Sequence, residues 1–202
     1  MNKDAPDGFM DVPAGRVAAI VTSLEMAVAP EGNADFTQPP GVEFQHIAHP
    51  TAEWYLRLFR LVGEDWLWFS RLRLTEGELA AIIHNRDVEV YVLRLDGSDA
   101  GFLELDFRDP NQCEIVYFGL TGAHVGKGLG HYLMREAIAR AWAKPIKRLW
   151  VHTCTLDHPS ALQFYRRAGF QPFRQQVEIA IDPRTNGELP RTAGSHVPIF
   201  DV

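Results

Sequence analysis

The sequence of 202 residues predicts an α/β (α+β) fold, in which one mixed central sheet is flanked by helices. The first observation is a run of strand-like segments between residues 88 and 120, joined by short turn signals, which is typical of an antiparallel meander. The second is that helix and strand patterns then alternate up to residue 181, which favours parallel pairing within the same sheet. A sheet with strands of both orientations is therefore expected.

The composition is ordinary for a globular protein and argues against several classes of function. Hydrophobic residues make up 46% and charged residues 23% of a chain that is long enough to bury a core. A formal net charge of −6, without any run of Lys and Arg, argues against nucleic-acid binding. No apolar stretch approaches the ~20 residues of a membrane span, so no membrane partner is expected. Two cysteines without a disulfide framework, and a polar start without a signal-peptide core, favour the cytoplasm.

The first part of the chain is predicted to hold two strands and two helices. A strand rich in apolar and β-branched residues spans 16–26, and a shorter one spans 42–47. Thr51 is placed to cap a helix. Thr75 followed three residues later by Glu78 is a capping-box pattern, which predicts a second, short helix.

The second part of the chain supplies the meander and the alternating elements. In order, we predict strands at 88–95, 100–107 and 113–120, a helix at about 129–143, a strand at 147–155, a helix with Pro159 in its first turn, and a strand at 170–181. The Asp96-Gly97 pair is a hairpin turn signal between the first two of these strands. We therefore predict a single domain over residues 1–182, followed by a turn-rich C-terminal tail over 183–202.

A glycine-rich turn joins the third strand of the meander to the helix that follows it. Glycines at 126, 128 and 130 allow the backbone to turn tightly and to approach a ligand closely. The unpaired N–H groups and partial positive charge at a helix N-terminus can hold a phosphate group. A nucleotide-hydrolase phosphate loop is disfavoured, because the Gly-Lys pair is followed by Gly128 and not by Ser or Thr. A plain strand-to-helix connection is the remaining alternative.

Two motifs in this part of the chain resemble those of a known superfamily. The first is Val-Gly-Lys-Gly-Leu-Gly at 125–130, and the second is His-Pro-Ser-Ala-Leu-Gln-Phe-Tyr-Arg-Arg-Ala-Gly-Phe at 158–170. Their order and spacing make residues 88–175 similar to the GCN5-related N-acetyltransferase (GNAT) superfamily. There the first motif reads (Gln/Arg)-x-x-Gly-x-(Gly/Ala) and binds the pyrophosphate of acyl-CoA. Val125 and His158 depart from the pattern, because the family prefers Gln or Arg at the first position and Asn at the second.

The resemblance implies the GNAT acyl-CoA N-acyltransferase fold, whose central sheet contains a splayed parallel pair of strands. It implies that acetyl-CoA is the co-substrate, held by the cofactor-binding half at about 88–175, between the strands at 113–120 and 147–155. The N–H of Leu120 would face the thioester oxygen and stabilise the developing oxyanion. The residues implied in binding acetyl-CoA are Phe118, Gly119, Leu120, Val125, Gly126, Lys127, Gly128, Leu129, Gly130, His158, Ser160 and Phe164.

The same resemblance suggests two catalytic residues. Glu114 stands where histone acetyltransferases of the superfamily carry their catalytic glutamate, so it is the candidate base that deprotonates the acceptor amine. A structural carboxylate paired across the sheet is the alternative for Glu114, with Glu104 and Asp106 as reserve bases. Tyr165 matches the family tyrosine that points at the CoA sulfur, so it is the candidate acid that protonates the leaving thiolate.

Several other residues invite a functional interpretation. Trp66, Trp68 and Phe69 are interpreted as core residues first and as the lining of an acceptor pocket second. His152 and Cys154 lie in a strand, where packing is the preferred interpretation. The eight histidines show no metal-ligand spacing, so no metal site is expected.

The expected function is direct transfer of an acetyl group from acetyl-CoA to a primary amine of a small-molecule or peptide acceptor. Two alternatives stay open. One is a non-catalytic module that senses acyl-CoA, which the presence of Glu114 and Tyr165 disfavours, and the other is a transferase for a longer acyl group. The acceptor is not readable from the sequence, and either a monomer or a homodimer is expected.

Overall fold

The computed structural model describes residues 7–31 and 37–201. Within them, seven strands form one sheet in the spatial order β2-β3-β4-β5-β6-β1-β7. The strands are β1 (Arg16–Met26), β2 (Val42–His46), β3 (Val88–Leu95), β4 (Ser98–Asp106), β5 (Gln112–Leu120), β6 (Arg148–Cys154) and β7 (Gln171–Ile181). Neighbouring strands are antiparallel except β5 and β6, which are parallel. The predicted mixed sheet is therefore confirmed.

The described residues contain four α-helices, α1 (Ala52–Gly63), α2 (Glu76–Ile83), α3 (Leu129–Trp142) and α4 (Ala161–Arg167). The Thr51 hydroxyl oxygen accepts a hydrogen bond from the N–H of Trp54 at 3.2 Å and so caps α1. Thr75 and Glu78 exchange the two bonds of a capping box at the start of α2. The prediction that Pro159 lies in the first turn of α4 is wrong, because the helix begins two residues later, after Ser160 at the N-cap.

Helices cover both faces of the middle of the sheet. Helices α1 and α2 pack on one face, where Val90, Val92 and Phe102 are buried. Helices α3 and α4 pack on the other face, where alternate residues of the same strands, such as Tyr91 and Leu93, are buried. The period of two along a strand explains why β3 is apolar on both faces, although it pairs antiparallel with its neighbours.

The parallel pair β5–β6 separates part-way along its length. The two strands pair only from Gln112 opposite Arg148 to Ile115 opposite Val151. On its other edge β5 stays paired with β4 as far as Leu120, but the register shifts so that Val116 is an extra residue, a β-bulge. A bulge bends the strand that carries it, so β5 turns away from β6 directly after Ile115 and a wedge opens between them. This is the splayed pair that the resemblance implied.

The position of β1 was not predicted. It lies between β6 and β7 and is antiparallel to both, so an N-terminal strand completes the sheet beside β6. Residues 88–175 therefore do not form this half of the sheet by themselves. The insertion of β1 also makes β7 the outer strand.

The segment after β7 contains a buried ion pair and packs against the rest of the chain through Leu189 and Ala193, which share a small core with Val17 and Leu67. Arg184 and Asp182 contact each other at 2.6 Å, and both side chains are almost fully buried. The Arg184 guanidinium also donates hydrogen bonds to the carbonyls of Ala193, Gly194 and Val197, which holds the turns of the segment together. No helix in the described part of the chain is long and apolar enough to cross a membrane.

Candidate active site

A cavity of about 870 Å³ opens where β5 and β6 separate. Its walls come from residues 66–71, from β5 after the bulge, from the glycine turn at 125–130, from the end of β6 with the loop beyond it, and from the start of α4. All three aromatic residues Trp66, Trp68 and Phe69 line it. Trp68 also packs against the core under α1, so both interpretations of that side chain hold.

The cavity brings together ten of the twelve residues implied in cofactor binding. They are Phe118, Gly119, Leu120, Val125, Gly126, Gly128, Gly130, His158, Ser160 and Phe164. The other two, Lys127 and Leu129, do not line it. Lys127 is exposed on the turn, whereas Leu129 is buried beneath it in the main core. Leu129 therefore anchors the first turn of α3.

The glycine turn presents bare backbone to the cavity. Gly126 and Gly128 have φ angles of +80° and +81°, which side chains other than glycine rarely adopt. A Cβ built at either position would meet nothing within 4 Å, so the backbone is open to a ligand there. Gly128 is the N-cap of α3, so the N–H groups of Leu129 and Gly130 have no acceptor within the helix, whereas that of His131 donates to the Gly128 carbonyl at 3.1 Å. This arrangement suits a phosphate group.

Replacing Gly128 by alanine is expected to lower the free energy of unfolding by about 1–2 kcal/mol, because an L residue is strained in this left-handed conformation. Gly130 is the matched control, since it lies inside α3 and a Cβ there would sit 3.8 Å from its nearest atoms. Alanine at 130 is expected to raise stability by up to about 1 kcal/mol. Urea unfolding of both variants checks this, and shifts of the same sign would contradict the assigned turn geometry.

The main chain of β5 also faces the wedge. The N–H of Thr121 donates to the carbonyl of Ala100 at 2.9 Å, so this pair is hydrogen-bonded to β4. Opposed residues of an antiparallel pair alternate between bonded and unbonded positions. The main-chain groups of Leu120 and Phe118 are therefore directed away from β4, toward the gap between β5 and β6. They are available to a ligand inserted there.

Tyr165 reaches the cavity from α4. Its ring is almost fully buried, with contacts to Phe118, Phe164 and Phe170, and the side chain lines the cavity wall. Burial, together with the nearby charge of Asp157, raises the pKa of Tyr165 well above its usual value. The hydroxyl therefore keeps its proton over the whole physiological range.

Glu114 does not line the cavity, because the ring of His152 lies between the Glu114 carboxylate and the cavity. Glu114 is on β5 before the bulge, and its Oε1 is 3.3 Å from Nδ1 of His152 on β6. Side chains of opposed residues share a face, and Glu114 and His152 both flank Trp150 on that face. The His152 side chain is 45% exposed and lines the cavity, so the interpretation of His152 as a packing residue is wrong. Its contact with Glu114 raises the pKa of His152.

The two reserve carboxylates lie elsewhere. Glu104 is fully buried and accepts hydrogen bonds from the Tyr55 hydroxyl and, at 2.6 Å, from Arg71. Both carboxylate oxygens of Asp106 accept hydrogen bonds from Nε and Nη2 of Arg108, and this contact, against the effect of burial, lowers the pKa of Asp106. Neither carboxylate lines the cavity. Glu104 contacts the wall of the site through Arg71, which lines the cavity.

Two other carboxylates line the cavity, and the sequence did not single them out. Asp157 follows β6 and accepts hydrogen bonds from the Thr153 hydroxyl and the Cys154 N–H. Glu178 comes from β7, which lies two strands away from β6, on the far side of β1. No pattern along the chain marks Glu178.

Burial raises the pKa of Cys154 to about 12, so its thiol stays protonated and is a poor nucleophile. No cluster of three His, Cys, Asp or Glu side chains suited to a metal occurs within residues 7–31 and 37–201.

Comparison with known proteins agrees with this geometry. The model of the acetyltransferase (GNAT) family matches residues 49–170. An uncharacterized N-acetyltransferase of the pepI 3′ region of Lactobacillus delbrueckii subsp. lactis is 30% identical over 64% of this chain and 79% of its own length. Streptothricin acetyltransferase of Streptomyces lavendulae is 33% identical over 48% of this chain, and the match spans about half (51%) of that enzyme.

A solved structure shares the fold. The GCN5-related N-acetyltransferase from Kribbella flavida superposes with a TM-score of 0.53 at 19% identity, over 84% of this chain and 60% of that one. The family match covers α1 to α4 and the strands that form the wedge, which are the elements that build the cavity. The chain therefore belongs to the GNAT family of acetyltransferases.

Proposed function

We propose that this protein transfers an acetyl group from acetyl-CoA directly to a primary amine, without a covalent enzyme intermediate. The observation that carries the proposal is that one cavity is lined by the glycine turn, the Tyr165 side chain and the His152 ring. The glycine turn can hold a pyrophosphate, the Tyr165 hydroxyl can give a proton, and the His152 ring can take one. Membership of the GNAT family supports acyl transfer as the reaction class.

The residues present fit acetyl-CoA. The backbone at Gly126 and Gly128 is open, and the N-terminus of α3 lies beside it, which suits the pyrophosphate. The main-chain groups of Phe118 and Leu120 face the wedge, where they can bind the amides of the pantetheine arm. When bound, acetyl-CoA supplies an activated thioester carbonyl. The Leu120 N–H would then stabilise negative charge on the oxygen of that carbonyl.

On becoming an amide, an alkyl ammonium loses two protons: a base takes the first before attack, and the second, lost from nitrogen after attack, balances the proton that a donor gives to the leaving thiolate. The amine nitrogen forms a bond to the carbonyl carbon, the carbon–sulfur bond breaks, and the electron pair leaves on sulfur. An alkyl ammonium titrates near ~10, so a base must remove a proton before the nitrogen can attack. The departing thiolate then takes a proton. We assign the donor to Tyr165, whose side chain lines the cavity and whose hydroxyl carries a proton at neutral pH.

We assign contact with the amine to His152 and a positioning role to Glu114. Glu114 was the candidate base, but it reaches the cavity only through its 3.3 Å contact with the ring of His152. A carboxylate at Nδ1 orients the imidazole and leaves Nε2 free to accept a proton. The same arrangement of a base and an orienting third group recurs in other enzymes.

The Glu114→Gln variant is expected to shift the acidic limb of the kcat/KM profile to lower pH. The carboxylate raises the pKa of His152, and a base works only when it is neutral, so activity rises with pH through that pKa. Removing the charge lowers the pKa and moves the rise toward acid. His152→Gln should remove this ionisation from the profile, whereas Glu43→Gln, on the exposed edge strand β2, should leave it unchanged. A profile in Glu114→Gln that matches the wild type would contradict the assignment.

The same pair sets a small pH dependence of folding stability. Because the pKa of His152 is raised in the folded state, its contribution is fully present below the unfolded value near ~6.5 and is lost as pH rises through the folded pKa. The side chains are 45% and 23% exposed, so solvent weakens the effect.

Thiol release from acetyl-CoA with a panel of amines tests the function. The panel should contain streptothricin, because a GNAT relative that acetylates it is 33% identical over 48% of this chain, together with aminoglycosides, amino acids and peptides. Propionyl- and butyryl-CoA test the acyl length. Release that depends on one class of amine would identify the acceptor. Binding of acetyl-CoA without release for any amine would favour the acyl-CoA sensor instead.

We also propose a cytoplasmic location, which the two free cysteines support.

A further inference from the structure

The outer strand β7 has an edge that no described segment covers. Its residues pair with β1 on one side, and on the other side the sheet ends. Every side chain from Gln171 to Ile179 is exposed. At Ile181 the carbonyl already accepts a hydrogen bond from Arg73 at 2.8 Å, but from Gln175 to Ile179 the outward main-chain groups are a template for another strand.

The edge strand carries an apolar row on one face. Val177, Ile179 and Ile181 are spaced by two residues, so they share a face, and their exposed fractions are 58%, 36% and 45%. Ile20 of β1 lies directly opposite Val177 and is also exposed. Four large apolar side chains side by side indicate an interaction surface rather than scattered exposure.

The backbone of β7 determines which residues can pair outward. The N–H of Asp182 donates to the carbonyl of Gly15 at 2.9 Å, which is a hydrogen-bonded position of the β1–β7 ladder. By alternation, the residues between 174 and 180 that have even numbers direct their main-chain groups to β1, and those with odd numbers direct theirs outward. A second strand must therefore bond to odd-numbered residues such as Gln175 and Val177.

We propose that the protein forms a homodimer in which the β7 strands of two copies pair antiparallel, about a two-fold axis at Gln176. This axis pairs odd-numbered residues with odd-numbered residues, so Gln175 of one copy bonds to Val177 of the other. It also places Arg174 opposite Glu178 of the second copy, and by symmetry the pair occurs twice. The two sheets become one continuous sheet across the axis.

Charge selects this register among those that the backbone allows. The axis can also lie one residue away, because odd-numbered residues still face odd-numbered residues there. An axis at Gln175 places Arg174 opposite Gln176 of the second copy, and an axis at Val177 places it opposite Ala180. Among these three axes, only the one at Gln176 places Arg174 of each copy opposite Glu178 of the other. Neither Arg174 nor Glu178 makes an ion pair within the described residues, although Glu178 also lines the cavity near His152. Opposite charges placed directly across two strands stabilise the pairing.

Reversing the charges tests the proposal without disturbing the core. Sedimentation velocity over a range of concentrations should give a dimer of the 22.8 kDa chain. Arg174→Glu and Glu178→Arg each place like charges opposite each other twice, so each should raise the dimer dissociation constant roughly tenfold. The double variant restores the pairs and should recover the wild-type value. Arg86→Glu, an exposed charge reversal before β3, is the matched control. A monomeric wild type, or a dimer unchanged by both single reversals, overturns the proposal.

A cysteine at the axis tests the register. Opposed residues at an unbonded position have Cα atoms about 4.5 Å apart, which lies within the range of a disulfide. Gln176→Cys should therefore form a disulfide-linked dimer under mild oxidation. Gln171→Cys, at the end of the same strand, lies opposite Ile181 of the second copy and should not. Cross-linking at 171 but not at 176, or at neither position, overturns the register.

Discussion

Replacing Tyr165 by phenylalanine is expected to lower kcat about 100-fold, while the dissociation constant of acetyl-CoA stays within about threefold of the wild type. The Tyr165 side chain lines the cavity, and its hydroxyl carries a proton at neutral pH as in any tyrosine, so it can donate to the thiolate as the carbon–sulfur bond breaks. That charge exists only in the transition state and the products. An interaction made only there changes turnover and leaves ground-state binding nearly intact.

Two measurements separate this role from simple packing. Thiol release at saturating substrates gives kcat, and calorimetric titration with acetyl-CoA gives affinity. Phenylalanine keeps the ring contacts of Tyr165 with Phe118 and Phe170, so the fold should be unaffected. Tyr91→Phe, which removes a hydroxyl bonded to Glu89 on β3, is the control for loss of a hydroxyl elsewhere. Equal turnover in Tyr165→Phe and wild type would contradict the assignment of the proton donor.

Elements with local signals could be predicted from the sequence. The strand at 16–26 has the bounds that were predicted, because a run of apolar and β-branched residues marks a strand without reference to its neighbours. The capping box of Thr75 and Glu78 is likewise a contact between residues three apart. The glycine turn belongs to the same class, since positive φ angles leave their mark in the sequence as glycine.

Features that depend on distant parts of the chain could not be predicted. A strand pattern does not say which strand lies beside it, so nothing in residues 16–26 indicates that β1 separates β6 from β7. The bulge at Val116 is invisible in the apolar run of β5, yet it sets where the wedge opens. His152 was interpreted as a packing residue because it alternates with Val151 and Thr153 along a strand. Its exposure follows from the absence of a described helix over that face of β6, which is a tertiary property.

A buried network behind the cavity wall is the other feature with a large expected effect. Glu104, which is fully buried, accepts hydrogen bonds from Tyr55 and from Arg71. The Arg71 guanidinium lies 5.1 Å from the centre of the Tyr117 ring, and the Tyr117 hydroxyl contacts Ser70. Arg71, Tyr117 and Ser70 all line the cavity, so the carboxylate of Glu104 holds one wall of the site in place.

Replacing Glu104 by glutamine is expected to lower the free energy of unfolding by about 3–5 kcal/mol, because it leaves the charge of Arg71 buried without a partner. Asp106→Asn is the matched control, since Asp106 is two residues away on β4 and its partner Arg108 is 43% exposed. Loss of the ion pair between Asp106 and Arg108 should lower the free energy of unfolding by no more than about 1 kcal/mol.

Chemical denaturation of both variants and of the double variant Glu104→Gln/Arg71→Met separates charge from shape. If the cost of Glu104→Gln comes from the stranded cation, removing the cation as well should recover part of the lost stability. If it came only from altered packing around Tyr55, the second substitution would add a further loss. A double variant less stable than Glu104→Gln alone would therefore contradict the electrostatic explanation. A recovery would establish that the charge of Arg71 in the cavity wall depends on the carboxylate behind it.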